Sequence, residues 1–168
     1  MQTDFNLGHG LAVKGMFCDT SPVRDVQTAI VDATNGRVQP GDFVVVKTPA
    51  PPGGRPIVEL PNATGEITGD LGFGFVHNNP VAPNADLGYG TGDVVAVLTR
   101  GRIWVECEQA NNAHGTPVFI RFSAAGAERL GSVRIDADTA DAVALPGAHL
   151  LTTCGAAGLA ECEYFKQD

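Results

Sequence analysis

The sequence predicts an all-β protein: a β-sandwich or jelly-roll-like domain with an extended N-terminal arm. Three observations carry this. The 168 residues include 21 glycines and 11 prolines, which argues for many turns and against long helices while staying below low-complexity composition. Short β-branched or aromatic runs recur, Phe43-Val44-Val45-Val46 being the plainest. Turn signals separate these runs at roughly the 8–12-residue spacing of sandwiches and barrels. The chain is 43% apolar and 18% charged, which suits one packed domain rather than a disordered chain. No run approaches the roughly 18 apolar residues of a membrane-spanning helix. Residues 1–10 lack the basic cluster and apolar stretch of a signal peptide, so export is not expected.

Residues 1–22 are Gly-rich and mixed and are expected to form an arm; 23–168 follow as a single domain. Within 23–36, helical spacing of Val23, Val26, Ile30 and Ala33 competes with the run 28–31 and its trailing Asn35-Gly36. Asn-Gly between apolar segments favours a strand and hairpin. Gln39-Pro40-Gly41-Asp42 is a turn that launches a buried strand over 43–47. The loop 49–56 holds four prolines and two glycines, so it must be exposed. A short strand is expected at 57–60. Residues 66–76 read as strand, turn and strand, with Phe73 and Phe75 on one face. A second long loop covers 77–92, a length usually tied to function or disorder.

The second half alternates more clearly. A strand is expected at 93–99, a tight turn at Arg100-Gly101, and a strand at 102–108. There Ile103, Val105 and Cys107 share one face, and Arg102, Trp104, Glu106 and Glu108 the other. Strands are further expected at 117–123, 129–137, 142–145, 149–153 and 159–165. Only 124–130 has room for a helical turn. No internal repeat or composition break supports a second domain.

The chemistry is sparse. A net charge of −8 with three lysines, Lys14, Lys47 and Lys166, weighs against binding nucleic acid and suits a protein partner. Cys18, Cys107, Cys154 and Cys162 show no C-x-x-C spacing, so free thiols are expected. Glu-Cys-Glu occurs at 106–108 and 161–163; in a strand this turns the thiol inward and both carboxylates outward. A Cys107–Cys162 bridge or a metal site are the alternatives. Gly88-x-Gly90-x-Gly92 precedes a strand rather than a helix, so it offers no phosphate loop. His9, His77, His114 and His149 are isolated, and no Gly-x-Ser-x-Gly elbow exists. Asp136 and Asp138 sit at strand spacing, suited to calcium or, more commonly, to a solvated face. No enzyme activity, catalytic residue, cofactor or metal is expected. The stretch 56–99 holds five acids and no Lys or Arg, whereas 100–134 holds five arginines against three glutamates. Such segments could pair between subunits, steer docking, or reflect ordinary surface mixing.

Four motifs together resemble the bacteriophage structural cement (head decoration) proteins. They are Gly72-Phe73-Gly74-Phe75-Val76 with its Asn78-Asn79-Pro80 loop, the strand pair around Arg100-Gly101-Arg102, Gly115-Thr116-Pro117-Val118-Phe119-Ile120-Arg121, and Ala144-Leu145-Pro146-Gly147-Ala148. The match lies in their order and spacing from 66 to 165. It implies a β domain on the outer surface of a phage head, with the major capsid protein and neighbouring copies of itself as partners, in a dimer or trimer. Neither nucleic acid nor membrane is implied. The residues expected at such a partner surface are Phe5, Leu7 and Phe17 of the arm, and Asn78, Asn79 and Tyr89 of the long loop. Trp104 is a further candidate, since its flanking Arg100 and Arg102 give an interface hot-spot composition; simple core packing is its alternative. The alternative is a virion β-sandwich that stacks sugar rings on Tyr89 and Trp104, against which the 7% aromatic content weighs.

Overall fold

The computed structural model describes residues 12–18, 24–78, 88–124 and 128–166. The all-β expectation holds. The strands are β1 Asp25–Val31, β2 Phe43–Thr48, β3 Ile57–Glu59, β4 Gly72–Val76, β5 Val94–Cys107, β6 Thr116–Arg121, β7 Val133–Arg134, β8 Ala142–Leu150 and β9 Gly158–Phe165. One helical turn, α1 at Thr64–Thr68, and one 3-10 turn at Asp138–Ala140 interrupt them.

The strands close into two rings that share β5. The first runs β1-β3-β2-β4-β5 and returns from β5 to β1; the second runs β5-β7-β6-β8-β9 and returns from β9 to β5. Closure leaves few free sheet edges, which protects against edge-to-edge association. Strand β5 makes this possible by its 14-residue length. Residues 94–100 pair with β1, and 100–107 pair with β9.

The tight turn expected at Arg100-Gly101 is therefore a bend within one strand. Arg100 and Gly101 face Phe165 and Tyr164 across an unbroken ladder. Gly101 has φ of 130°, a value that residues with a Cβ rarely adopt. The β1 register also shifts there, between Asp25 and Val26. The chain changes direction enough to pass from one ring to the other without reversing.

Each ring has its own core. Ala29, Val31, Val44, Val58, Phe73, Val95 and Val97 pack in the first. Ile103, Val105, Val118, Ile120, Leu150, Ala160 and Cys162 pack in the second, joined by Phe43, Val45, Phe75 and Leu98 from the other faces of β2, β4 and β5. Those three strands are thus buried on both sides, which explains their near-continuous apolar runs. Phe43, Phe75 and Tyr164 meet edge to face, with ring centroids 5.3 to 5.9 Å apart.

Several expectations change. Phe73 and Phe75 enter different cores, because the β2–β4 register shifts between Val44 and Val45 and leaves Phe73 as the extra residue of a bulge. The first half of 66–76 is α1, not strand. Glu66 Oε2 accepts the backbone N–H groups of Asn62 at 2.8 Å and Ala63 at 3.2 Å, and Ile67 drops into the core. Asn35-Gly36 makes its turn, but no hairpin follows. Asp32 Oδ1 accepts the Thr34 N–H and hydroxyl, and Val38 bridges Tyr89 instead of β1. The strand expected at 129–137 shrinks to two residues. Those at 142–145 and 149–153 are one strand, bent at Pro146-Gly147 where the β6–β8 pairing skips. Residues 125–127 of the expected helical segment lie outside the described residues. The loop at 49–56 is exposed as expected, apart from half-buried Pro56.

Candidate functional site

The expected arm is not wholly separate from the body. Residues 12–18 form a strap along β5 beside residues 102–104. The Gly15 N–H donates to the Trp104 carbonyl at 2.7 Å, Trp104 N–H to the Met16 carbonyl at 2.8 Å, and Cys18 N–H to the Arg102 carbonyl at 3.2 Å. The strap also reaches the first ring. Asn78 N–H donates to the Gly15 carbonyl at 2.8 Å, and Lys14 Nζ meets the fully buried Asp42 carboxylate at 2.8 Å. Gly15 has φ of 79°, and a Cβ there would lie 2.7 Å from the Pro40 Cβ. Only glycine fits that crossing.

Phe17 sits in a three-layer stack. Its ring lies on His77 with centroids 3.9 Å apart, and the Arg24 guanidinium covers it at 4.3 Å. Burial, with the Arg24 charge nearby, holds the His77 imidazole below its ordinary pKa of 6.5. Both influences favour the uncharged imidazole.

The other expected partner-surface residues separate. Phe5, Leu7 and Asn79 lie outside the described residues. Asn78 is half-buried, and its side-chain oxygen is buried without a hydrogen-bond partner. Tyr89, expected to reach outward from the long loop, is 2% exposed and packs in the first core, so it is corrected to a core residue. Trp104 is half-buried on the outer face of β5. Arg102 beside it meets Glu163 at 3.0 Å and Glu161 at 3.5 Å across the β5–β9 pair. Arg100 is exposed and lies over the Phe165 ring at 5.3 Å.

Beneath the second ring's far end lies a network that the sequence did not single out. The buried Arg121 guanidinium takes Glu108 at 2.8 Å, Glu128 at 2.8 Å and Asp138 at 2.6 Å. Arg134 takes Glu108 at 2.6 Å and Asp136 at 2.8 Å, and the Ser132 hydroxyl donates to Glu108. Burial pushes the Glu108 carboxyl up, but hydrogen bonds from Arg121, Ser132 and Arg134 outweigh it and leave the pKa below its ordinary value. The network pins the turn at Asp138, Thr139 and Ala140, all at positive φ. A cavity of about 400 Å3 opens beside it, lined in part by Lys14, Glu106, Glu108 and Arg129. Asp136 and Asp138 thus pair with arginines, Asp136 while exposed to solvent and Asp138 while half-buried. The arginine count of 100–134 was the available signal, and four of its five arginines are held by carboxylates of the same chain: Arg102, Arg121, Arg134, and Arg129 on Asp42 at 2.6 Å.

The Glu-Cys-Glu reading holds: Cys107 and Cys162 are buried in the second core. Burial pushes the Cys107 thiol up to about 11, and Cys162 also upward, so both are poor nucleophiles. The register sets Cys162 against Ile103 and Cys107 against Gly158, which separates the two thiols along the ladder. Among the described residues no group of His, Cys, Asp and Glu is placed to hold a metal ion, and no helix is long and apolar enough to cross a membrane.

Comparison with known proteins finds a matching family model and similar solved structures. Residues 1–164 match the family model described as structural cement protein (E217 gp24/Pam3 gp6). A chain from the capsid of Myoviridae phage XM1 shares the fold, with a TM-score of 0.66, 17% identity, and 99% of each chain covered. No curated protein matches by sequence.

Proposed function

This chain belongs to the phage structural cement protein family, a structural and capsid-associated role, and from that premise we propose that it clamps neighbouring subunits of the major capsid protein on the outer surface of an icosahedral head. It is made in the host cytoplasm and carried on the virion. The observation that carries this reading is the extent of the family match, from residue 1 to 164. Strap and both rings fall inside it, so the family's role attaches to the whole body.

A clamp needs stiffness more than chemistry. Two closed rings sharing one strand resist bending, and the strap ties one ring to the other. The docking side is the outer face of β5 around Phe17, Trp104, Arg100 and Arg102, with the segment before the strap reaching a neighbouring subunit. Each contact can be weak because the lattice repeats it. Contacts between adjacent copies, as dimers or trimers about a symmetry axis, raise the effective concentration of each. Preference for the expanded lattice stabilises that state by mass action and opposes the pressure of packaged DNA.

Copy number tests this reading. Virions are digested and this chain is quantified against the major capsid protein by mass spectrometry. A ratio near one to one is the expected result. Absence, or a few copies per particle, overturns it in favour of a tail-associated binding module. The sugar-stacking version of that module is weakened already, since Tyr89 is in the core.

A further inference from the structure

A second feature lies where the rings fuse. Arg24, Arg100 and Lys166 converge on a cleft of about 460 Å3, whose walls also include Asp25, Gln27 and Thr99. The cleft is built by the start of β1, the bend of β5 and the residue after β9. Its frame is hydrogen-bonded: Lys166 N–H donates to the Thr99 carbonyl at 3.1 Å, and the Thr99 hydroxyl to the Asp25 carbonyl at 3.3 Å.

The three cations share an unusual form of support. Arg24 lies over Phe17 at 4.3 Å, Arg100 over Phe165 at 5.3 Å, and Lys166 over Phe73 at 5.6 Å. An aromatic face steadies a cation through its π cloud. For arginine it leaves the in-plane N–H donors available for a bidentate partner. None of the three forms an ion pair among the described residues, whereas Lys14, Lys47, Arg102, Arg121, Arg129 and Arg134 all do. Asp25 faces Arg100 in the β1–β5 register, so the lining carries a net positive charge on a chain of net charge −8. A local reversal of sign, with donors held and unpaired, fits carboxylates.

The geometry points to this cleft as a docking site for an acidic peptide segment of the capsid subunit beneath the clamp. This rests on the proposed function and names the chemistry of its partner. A second copy fits less well, because copies of net charge −8 repel one another and the acids of the Lys- and Arg-free stretch are partly engaged. Glu59 meets Lys47 at 3.1 Å, Glu66 caps α1, and Asp93 accepts the Gly90 N–H at 2.8 Å. A nucleic-acid backbone fits less well still, given one small cleft on an acidic surface.

The test uses the full chain, the triple variant Arg24→Gln/Arg100→Gln/Lys166→Gln, and Arg55→Gln as an exposed charge control outside the cleft. Each is titrated onto heads that lack this protein, and against fluorescent oligoglutamate and oligothymidine by anisotropy, with rising NaCl. The triple variant is expected to lose about tenfold or more in affinity for heads and for oligoglutamate, and Arg55→Gln less than about twofold. Wild-type binding to heads that the triple variant matches overturns the cleft and leaves the clamp standing. Wild-type binding to oligoglutamate without binding to heads overturns the clamp and leaves the cleft. No oligoglutamate binding, or tighter oligothymidine binding, overturns the acidic-peptide assignment.

Discussion

Arg121 and Arg100 both rise from strands of the second ring, yet they live under opposite rules. Arg121 is fully buried and takes three carboxylates of its own chain. Arg100 is exposed, rests on Phe165, and shares its cleft with two more cations supported the same way. The first arrangement closes on itself: a buried guanidinium must be neutralised locally, because burying a lone charge is prohibitive. The second stays open, since exposure removes the desolvation cost and an aromatic face supplies order without neutralisation. The contrast separates charges that hold the fold from charges available to a partner, and substitution can break or sharpen it.

The largest expected effect is at the closed end. Arg121→Met leaves Glu108, Glu128 and Asp138 facing one another beside Arg134. Removing one partner of a buried ion network typically costs about 3–5 kcal/mol. Urea denaturation should show a loss of that order. A loss below about 1 kcal/mol would mean that Arg134 can neutralise the group alone, and the network would not be a folding element.

Gly101 comes next, because it joins the two regions. Its φ of 130° is one that alanine adopts only under strain, so Gly101→Ala should cost about 1–3 kcal/mol. Hydrogen exchange should quicken at amides on both sides of the bend. A variant as stable as wild type would show that β5 crosses between rings without needing that angle.

Acid should act on the closed network and spare the open cleft. The Glu108 carboxyl is held below its ordinary value of 4.5, and Asp136 below 3.8 by its bonds from Gln109 and Arg134. Each binds its proton more weakly folded than unfolded. Their stabilisation is complete above the unfolded values and is lost as pH falls through the folded ones. The melting temperature should therefore drop on acidification below about pH 4.5, and less steeply in Glu108→Gln. Arg100→Gln should leave that acid limb unchanged; if it flattens the limb instead, the two regions are coupled.

Much of this fold is legible in the sequence because period-two alternation states which side of a strand is buried. The alternation over 102–107 gave the inward and outward faces of β5, and the Gln39–Asp42 turn gave the start of β2. Closure into two rings is not legible, since pairing partners depend on contacts far apart in the chain. Arg-Gly reads as a turn until the ladder beside it is seen to continue. Phe73 and Phe75 read as neighbours on one face because a bulge belongs to the pairing with β2, not to β4 alone. For the site, the arginine-rich stretch was visible, but not which arginines would be neutralised. Arg24 and Lys166 lie 142 positions apart, and only the meeting of β1 with the end of β9 puts them beside Arg100.

The smallest expected effect on stability belongs to the cleft, and it is the one that decides the comparison. Replacing Arg24, Arg100 and Lys166 by glutamine removes three cation–ring contacts, made by exposed Arg24 and Arg100 and half-buried Lys166, and no ion pair among the described residues. Contacts of this kind near the surface contribute little, so the triple variant should lose about 1 kcal/mol or less in urea denaturation. Relief of repulsion among three like charges in one cleft opposes even that loss. High salt should narrow the gap further, because it screens exposed charges and leaves the Arg121 network nearly untouched. A loss approaching that of Arg121→Met would show that these cations hold the rings together. They would then be structural, and an affinity change on heads could be assigned to misfolding. A near-native stability makes any affinity change a property of the cleft itself.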